Sequence, residues 1–144
     1  MRILRMTLLS LLLLMIALPL YAGGRLTYYC STDIAWCELM KKEFEKRTGI
    51  RVSMTRASTG ETLAKIRAEK SNPKGDVWWG GTGDPHLQAA EEGLSQAYNS
   101  PKVSELNDWA KAPHKATGGK TVGIYLGALG FGYNTASLGK NGMP

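Results

Sequence analysis

At 144 residues the chain is sized for one domain. Hydrophobic residues at 43% and charged residues at 21% exclude a disordered tail, and 17 Gly with 6 Pro fall short of a collagen-like repeat. Two Cys and two His are too few for a Cys-rich zinc module, and part of the net charge of +6 sits in the first few residues.

Those residues, Met1 to Ala22, read as a leader. Arg2 and Arg5 form a basic start, Thr7 to Leu18 is almost entirely apolar, Pro19 breaks the run, and Ala22 is a small residue at which a signal peptidase could cut. The apolar run is shorter than the roughly 20 residues that span a bilayer. Residues 1–22 are therefore expected to be a secretory signal peptide that sends the mature chain to a bacterial periplasm; the alternative is an uncleaved N-terminal anchor. Losing Arg2 and Arg5 leaves 16 basic against 12 acidic side chains. That excess biases a cleft toward anions. The basic residues are interspersed with acids, without a basic run carrying alternating aromatics, so nucleic acid is not expected as a partner.

Arg25 to Cys30 (RLTYYC) predicts a strand through its β-branched and aromatic content. Ser31-Thr32-Asp33 offers three capping residue types in a row. Ile34 to Thr48 then predicts a helix, with Trp36, Leu39, Met40 and Phe44 as its apolar stripe and Gly49 as its stop. Arg51 to Met54 predicts a second strand. Ser58 with Glu61 three places on makes a capping box for a helix that runs to about Lys70. Asn72-Pro73-Lys74-Gly75 is a turn, and Asp76 to Trp79 (DVWW) a third strand. Gly80 to Pro85 is a tight glycine-rich turn leading into a helix from His86 to Glu92 that Gly93 ends. From Ala97 to Gly119 two prolines and polar residues predict an irregular surface segment. Thr121 to Thr135 alternates glycine with Ile, Leu, Phe and Tyr and predicts extended chain, although Gly123, Gly127, Gly130 and Gly132 make it a poor core strand.

The order strand-helix-strand-helix-strand-helix with short connections predicts an α/β fold, a parallel sheet with helices on both faces. Ligands bind such sheets at the carboxyl ends of the strands. The expected ligand-binding residues are therefore Ser31, Thr32 and Asp33 after the first strand, Ser58, Thr59 and Gly60 after the second, and Gly81 and Thr82 after the third. Free N–H groups at helix starts favour a carboxylate, a phosphate or another anion, and hydroxyls add directional hydrogen bonds. The plainer alternative is that these residues only cap helices and shape turns. Gly80 to Gly83 is neither a P-loop nor a complete dinucleotide fingerprint, and no cofactor is expected. GxSxG is absent, so an α/β-hydrolase nucleophile elbow is not expected.

Cys30 and Cys37, seven apart in an exported chain, are candidates for a disulfide; the alternative is two buried thiols. Trp78 and Trp79 are adjacent in a strand and point to opposite faces. Asp33, Asp84 and His86 would be the metal or acid–base site of a small exported enzyme if they met in one cleft. Otherwise they are caps and a polar helix start. Without a Ser-His-Asp, Cys-His or paired-carboxylate arrangement at usable spacing, the visible features serve capture better than bond-making.

Taken together, RLTYYCS, KKEFEKRTGIRVSM, STGETLAKIRAE, NPKGDVWWGGTGD and VGIYLGALGFGYNT resemble the periplasmic solute-binding proteins of ABC importers, in particular the iron(III)/phosphonate-type extracellular solute-binding family 1. The resemblance runs from about Arg25 to the end. It implies a periplasmic-binding-protein-like type II fold, two lobes clamping a ligand, with 23–120 as the first lobe and 121–144 as the hinge crossing and start of a truncated second lobe. The rest of the second lobe would be missing and the chain incomplete. It also implies a non-enzymatic function: capture of a small anionic solute or an iron(III) complex and delivery to a permease of the inner membrane. Iron-binding relatives carry a His after the first strand and a Glu after the third. Those places fall near Asp33 and Gly81 here, so an oxyanion, a phosphonate or a small carboxylate suits the loops at least as well.

Overall fold

The computed structural model describes residues 23–128 together with 130 and 132. The expected leader over 1–22 and most of the expected crossing segment after 128 lie outside the described residues. Strand β1 (Arg25–Cys30) leads to helix α1 (Ile34–Thr48), β2 (Arg51–Arg56), α2 (Thr59–Ala68), β3 (Val77–Trp79) and α3 (Gly83–Glu91). A short 3-10 turn (Val103–Glu105) and helix α4 (Asp108–Ala116) follow. No helix among the described residues is long and apolar enough to cross a membrane.

The sheet is parallel throughout, in the order β2-β1-β3. Arg25 pairs with Arg51 at one end and Cys30 with Arg56 at the other, while Tyr28 lies opposite Val77. Central β1 is covered on both faces, so Tyr28, Tyr29 and Cys30 are all buried. On one face Tyr28, Cys30 and Val52 pack with Cys37 of α1, joined by Leu26, Phe44, Met54 and Trp79. On the other, the Tyr29 hydroxyl donates to Glu69 just past α2, and Ser31 meets Thr62 of α2. Trp78 reaches the Ser31 side and Trp79 the Tyr28 side, the opposite facing expected of strand neighbours. Gly75 passes under Tyr29 so closely that a Cβ there would lie 2.6 Å from the ring.

Local chemistry sets the helix ends. Asp33 caps α1 by accepting from the Ala35 N–H at 2.8 Å, and Gly49, at φ 71°, closes it through its N–H to the Glu45 carbonyl. Ser58 and Glu61 form the reciprocal capping box of α2. The Cys30–Cys37 disulfide is present, with Cα atoms 5.9 Å apart and both residues fully buried.

Three expectations are corrected. Strand β2 runs two residues further, to Arg56, because the ladder with β1 continues to its end and the Ala57 N–H bonds the Cys30 carbonyl. Helix α3 starts at Gly83 rather than His86, with Pro85 in its first turn, where a missing N–H costs nothing. Within the segment expected to be irregular lies α4. It forms despite Pro113 because tertiary contact outweighs propensity: Ala110 is buried, and its carbonyl accepts from the Gly123 N–H at 2.9 Å. Residues 121–128, expected to be extended chain but a poor core strand, form no strand, in keeping with that reading. Gly123 lies so close to Trp109 and Ala110 that an added Cβ would overlap both.

Candidate functional site

The carboxyl ends of the three strands deliver three loops to one edge of the sheet. Ser31 is buried there. Its hydroxyl accepts from the Trp78 indole N–H at 2.9 Å and shares a 3.0 Å hydrogen bond with Thr62. Its own N–H bonds the Trp79 carbonyl. This serine therefore stitches β1, β3 and α2 together beneath the surface. Thr32, half-buried beside it, offers its carbonyl to Nε of Arg56 at 2.8 Å.

Gly80 and Gly81 have φ of 80° and 93°, backbone that only glycine adopts without strain. The turn is also crowded. A Cβ on Gly80 would lie 3.0 Å from Thr32, and one on Gly81 would overlap the Thr59 hydroxyl and come 3.0 Å from the Ser31 carbonyl. The glycines thus bring the third loop into contact with the other two. Thr82 completes the join, donating its N–H to the Thr59 hydroxyl at 3.2 Å.

Helices α2 and α3 start side by side at this junction. The Thr59 and Gly60 N–H groups open α2, and the Gly83 and Asp84 N–H groups open α3, positions without acceptors inside a helix. Thr82 makes no side-chain cap to α3, so its hydroxyl stays available. Both helix dipoles put partial positive charge here, and Arg56 adds a full one from the end of β2. Arg67 of α2 pairs with Glu92 at the far end of α3 and also reaches Gln88, locking the two helices together.

The expected residues thus divide into two groups. Thr32, Thr59, Gly60, Gly81 and Thr82 gather at the junction. Ser31, Asp33 and Ser58 belong to the same loops, but their side chains are engaged within the protein: Ser31 on Trp78 and Thr62, Asp33 on Ala35, Ser58 on Glu61. Among the described residues no group of three or more His, Cys, Asp or Glu is placed to hold a metal ion, so Asp33, Asp84 and His86 do not form one. His86 instead stacks on Trp78, centroids 3.8 Å apart, with Nε2 2.9 Å from the Gly80 carbonyl. Burial lowers its pKa, and the Gly80 contact opposes that shift.

Sequence reasoning missed Arg56, Trp36 and Tyr125. The Tyr125 hydroxyl accepts from the Gly81 N–H at 2.7 Å, and its ring meets Trp36 and Trp79 edge-on. Only Arg56 left a signal, as a basic residue directly before the Ala57-Ser58 loop. An open groove lined in part by Gly80, Gly81, Gly83, His86 and Tyr125 borders the junction.

Residues 40–144 match the family model described as bacterial extracellular solute-binding protein. An uncharacterized protein of Haemophilus influenzae is 44% identical over 122 residues, which is 85% of this chain and 35% of that protein. The periplasmic binding protein P5PA is 40% identical, with a TM-score of 0.73 over 84% of this chain and 39% of that one. The periplasmic binding protein AfuA from Actinobacillus pleuropneumoniae, solved with exogenous fructose-6-phosphate bound, is 46% identical, with a TM-score of 0.59 over 60% of this chain and 27% of its own. The chain thus spans well under half the length of each of these relatives.

Proposed function

Because the chain belongs to the bacterial extracellular solute-binding protein family, we propose that it is a non-enzymatic receptor that captures a small anionic solute for an ABC importer and passes it to a permease of the inner membrane. The periplasmic location accords with the family and with P5PA and AfuA. Residues 23–120 are read as one lobe and 121–144 as the crossing toward a second, which would supply the facing wall of the cleft.

One observation carries the ligand reading: the contact from the Thr82 N–H to the Thr59 hydroxyl, which sets two helix starts against each other beside Arg56. The loops then present backbone donors, hydroxyls and one guanidinium, a set that suits a phosphate or carboxylate. Thr32, Thr59, Gly60, Gly81 and Thr82 would meet the ligand, while Ser31, Asp33 and Ser58 hold their loops in shape. A phosphate ester is favoured, supported by the fructose-6-phosphate bound to AfuA. Iron(III) is the weaker candidate. Asp33, near the place of the iron-binding His, caps a helix, and Gly81, near the place of the Glu, carries no side chain.

Isothermal titration of the full-length gene product with fructose 6-phosphate, inorganic phosphate and ferric citrate tests this reading. Saturable binding of a phosphate probe is expected, with no phosphate released on long incubation and no competition by ferric citrate. Binding of ferric citrate alone, or steady hydrolysis of the ester, overturns it.

A further inference from the structure

We propose that Trp36 and Tyr125 form an aromatic wall beside the anion-binding loops, and that this wall selects phosphate esters whose alcohol carries a ring with an apolar face. The inference rests on the anion reading above and names the other half of the ligand.

Tyr125 ties the wall to the loops, because its hydroxyl sits on the Gly81 N–H at 2.7 Å. An oxyanion held by the free Thr82 hydroxyl, one residue on from Gly81, therefore lies near the phenol. Trp36, in the first turn of α1, meets the Tyr125 ring edge-on, with centroids 5.5 Å apart and planes at 87°. From Tyr125 the rings continue inward to Trp79 at 6.3 Å and from there to Tyr28 at 6.5 Å. The outer pair is thus braced against buried core.

Trp36 nevertheless remains 50% exposed, beside Thr32 and Asp33 at the exit of β1. An edge-on contact leaves ring area uncovered. A ligand ring can cover it while its phosphate stays at the helix starts, because Trp36 is one ring removed from Tyr125. Inorganic phosphate would reach the donors and leave the wall bare. Discrimination would then come from stacking, and charge alone would not separate the esters.

The test compares phenyl phosphate and fructose 6-phosphate with methyl phosphate, by titration of the full-length protein and of its Trp36→Ala and Trp36→Phe variants. At least one ring ester should bind about tenfold more tightly than methyl phosphate, the size expected of one stacked ring. Trp36→Ala should abolish that ratio, and Trp36→Phe should restore most of it. Quenching of tryptophan fluorescence by the ring ester should be strong in the parent protein and much reduced in Trp36→Ala. A ratio that survives Trp36→Ala overturns the wall while leaving the anion reading intact. So does a variant that melts at lower temperature with its ratio unchanged, which makes Trp36 a packing residue. Failure of every phosphate probe to bind overturns both.

Discussion

Replacing Cys30 and Cys37 by alanine together measures what the disulfide contributes to the loop that holds Ser31, Thr32 and Asp33. The bridge spans a sequence separation of 7. Closing a loop of about eight residues removes unfolded-state entropy worth about 2.5 kcal/mol at 25 °C in the chain-entropy model. Both cysteines are fully buried, so the substitution also removes two sulfur atoms from the cluster of Tyr28, Val52 and Trp79. That adds a cavity cost of about 1 kcal/mol. The double variant should therefore be about 3.5 kcal/mol less stable. With a urea slope of about 2 kcal/mol/M, the unfolding midpoint moves down by about 1.7 M. Unfolding the parent protein with and without reductant separates the two contributions, because reduction keeps the sulfur atoms and loses only the link. A parent midpoint that reductant leaves unchanged, with the thiols shown to be free, would refute the entropy argument. A double variant as stable as the parent would refute the packing argument too.

Other outcomes follow from the same geometry. Gly81→Ala forces an L-residue to φ 93° and pushes its Cβ into the Thr59 hydroxyl, so it should cost about 2–3 kcal/mol in chemical denaturation and also weaken anion binding. Arg56→Ala should weaken phosphate binding roughly fivefold at low salt, and the loss should shrink as ionic strength rises, since this side chain is exposed. His86 has a folded-state pKa below that of the unfolded chain because it is buried. The unfolded chain therefore binds more protons between the two values, and His86 contributes stability that is full above about pH 6.5 and is lost as pH falls toward the lowered pKa. Melts from pH 8 to 5 should show that slope, and His86→Gln should flatten it.

Much of this fold is legible because its signals are local. Asp33 and Gly49 bracket α1, and Ser58 with Glu61 starts α2, since each acts on backbone within four residues. The strand exits follow from the order of elements, which is why Thr32, Thr59 and Thr82 could be placed at one edge. Helix α4 escaped because Pro113 argues against it locally, while Gly123, ten residues further on, holds Ala110 in place. Trp36 and Tyr125 escaped for the same reason. Trp36 read as part of an apolar stripe, and Tyr125 acquires meaning only when the chain returns 44 residues later to Gly81.

The clasp between Arg67, Gln88 and Glu92 has a mechanical consequence. It fastens α2 to α3 at the ends away from the junction, while Thr59 and Thr82 fasten them at the junction itself. Two parallel levers pinned at both ends resist splaying and sliding. On the reading proposed above, the anion seat would be formed before a solute arrives, and docking would lose little entropy in arranging it. A closing motion would then pivot elsewhere, and Tyr125, resting on Gly81 from a segment without regular structure, would be the first contact to feel it.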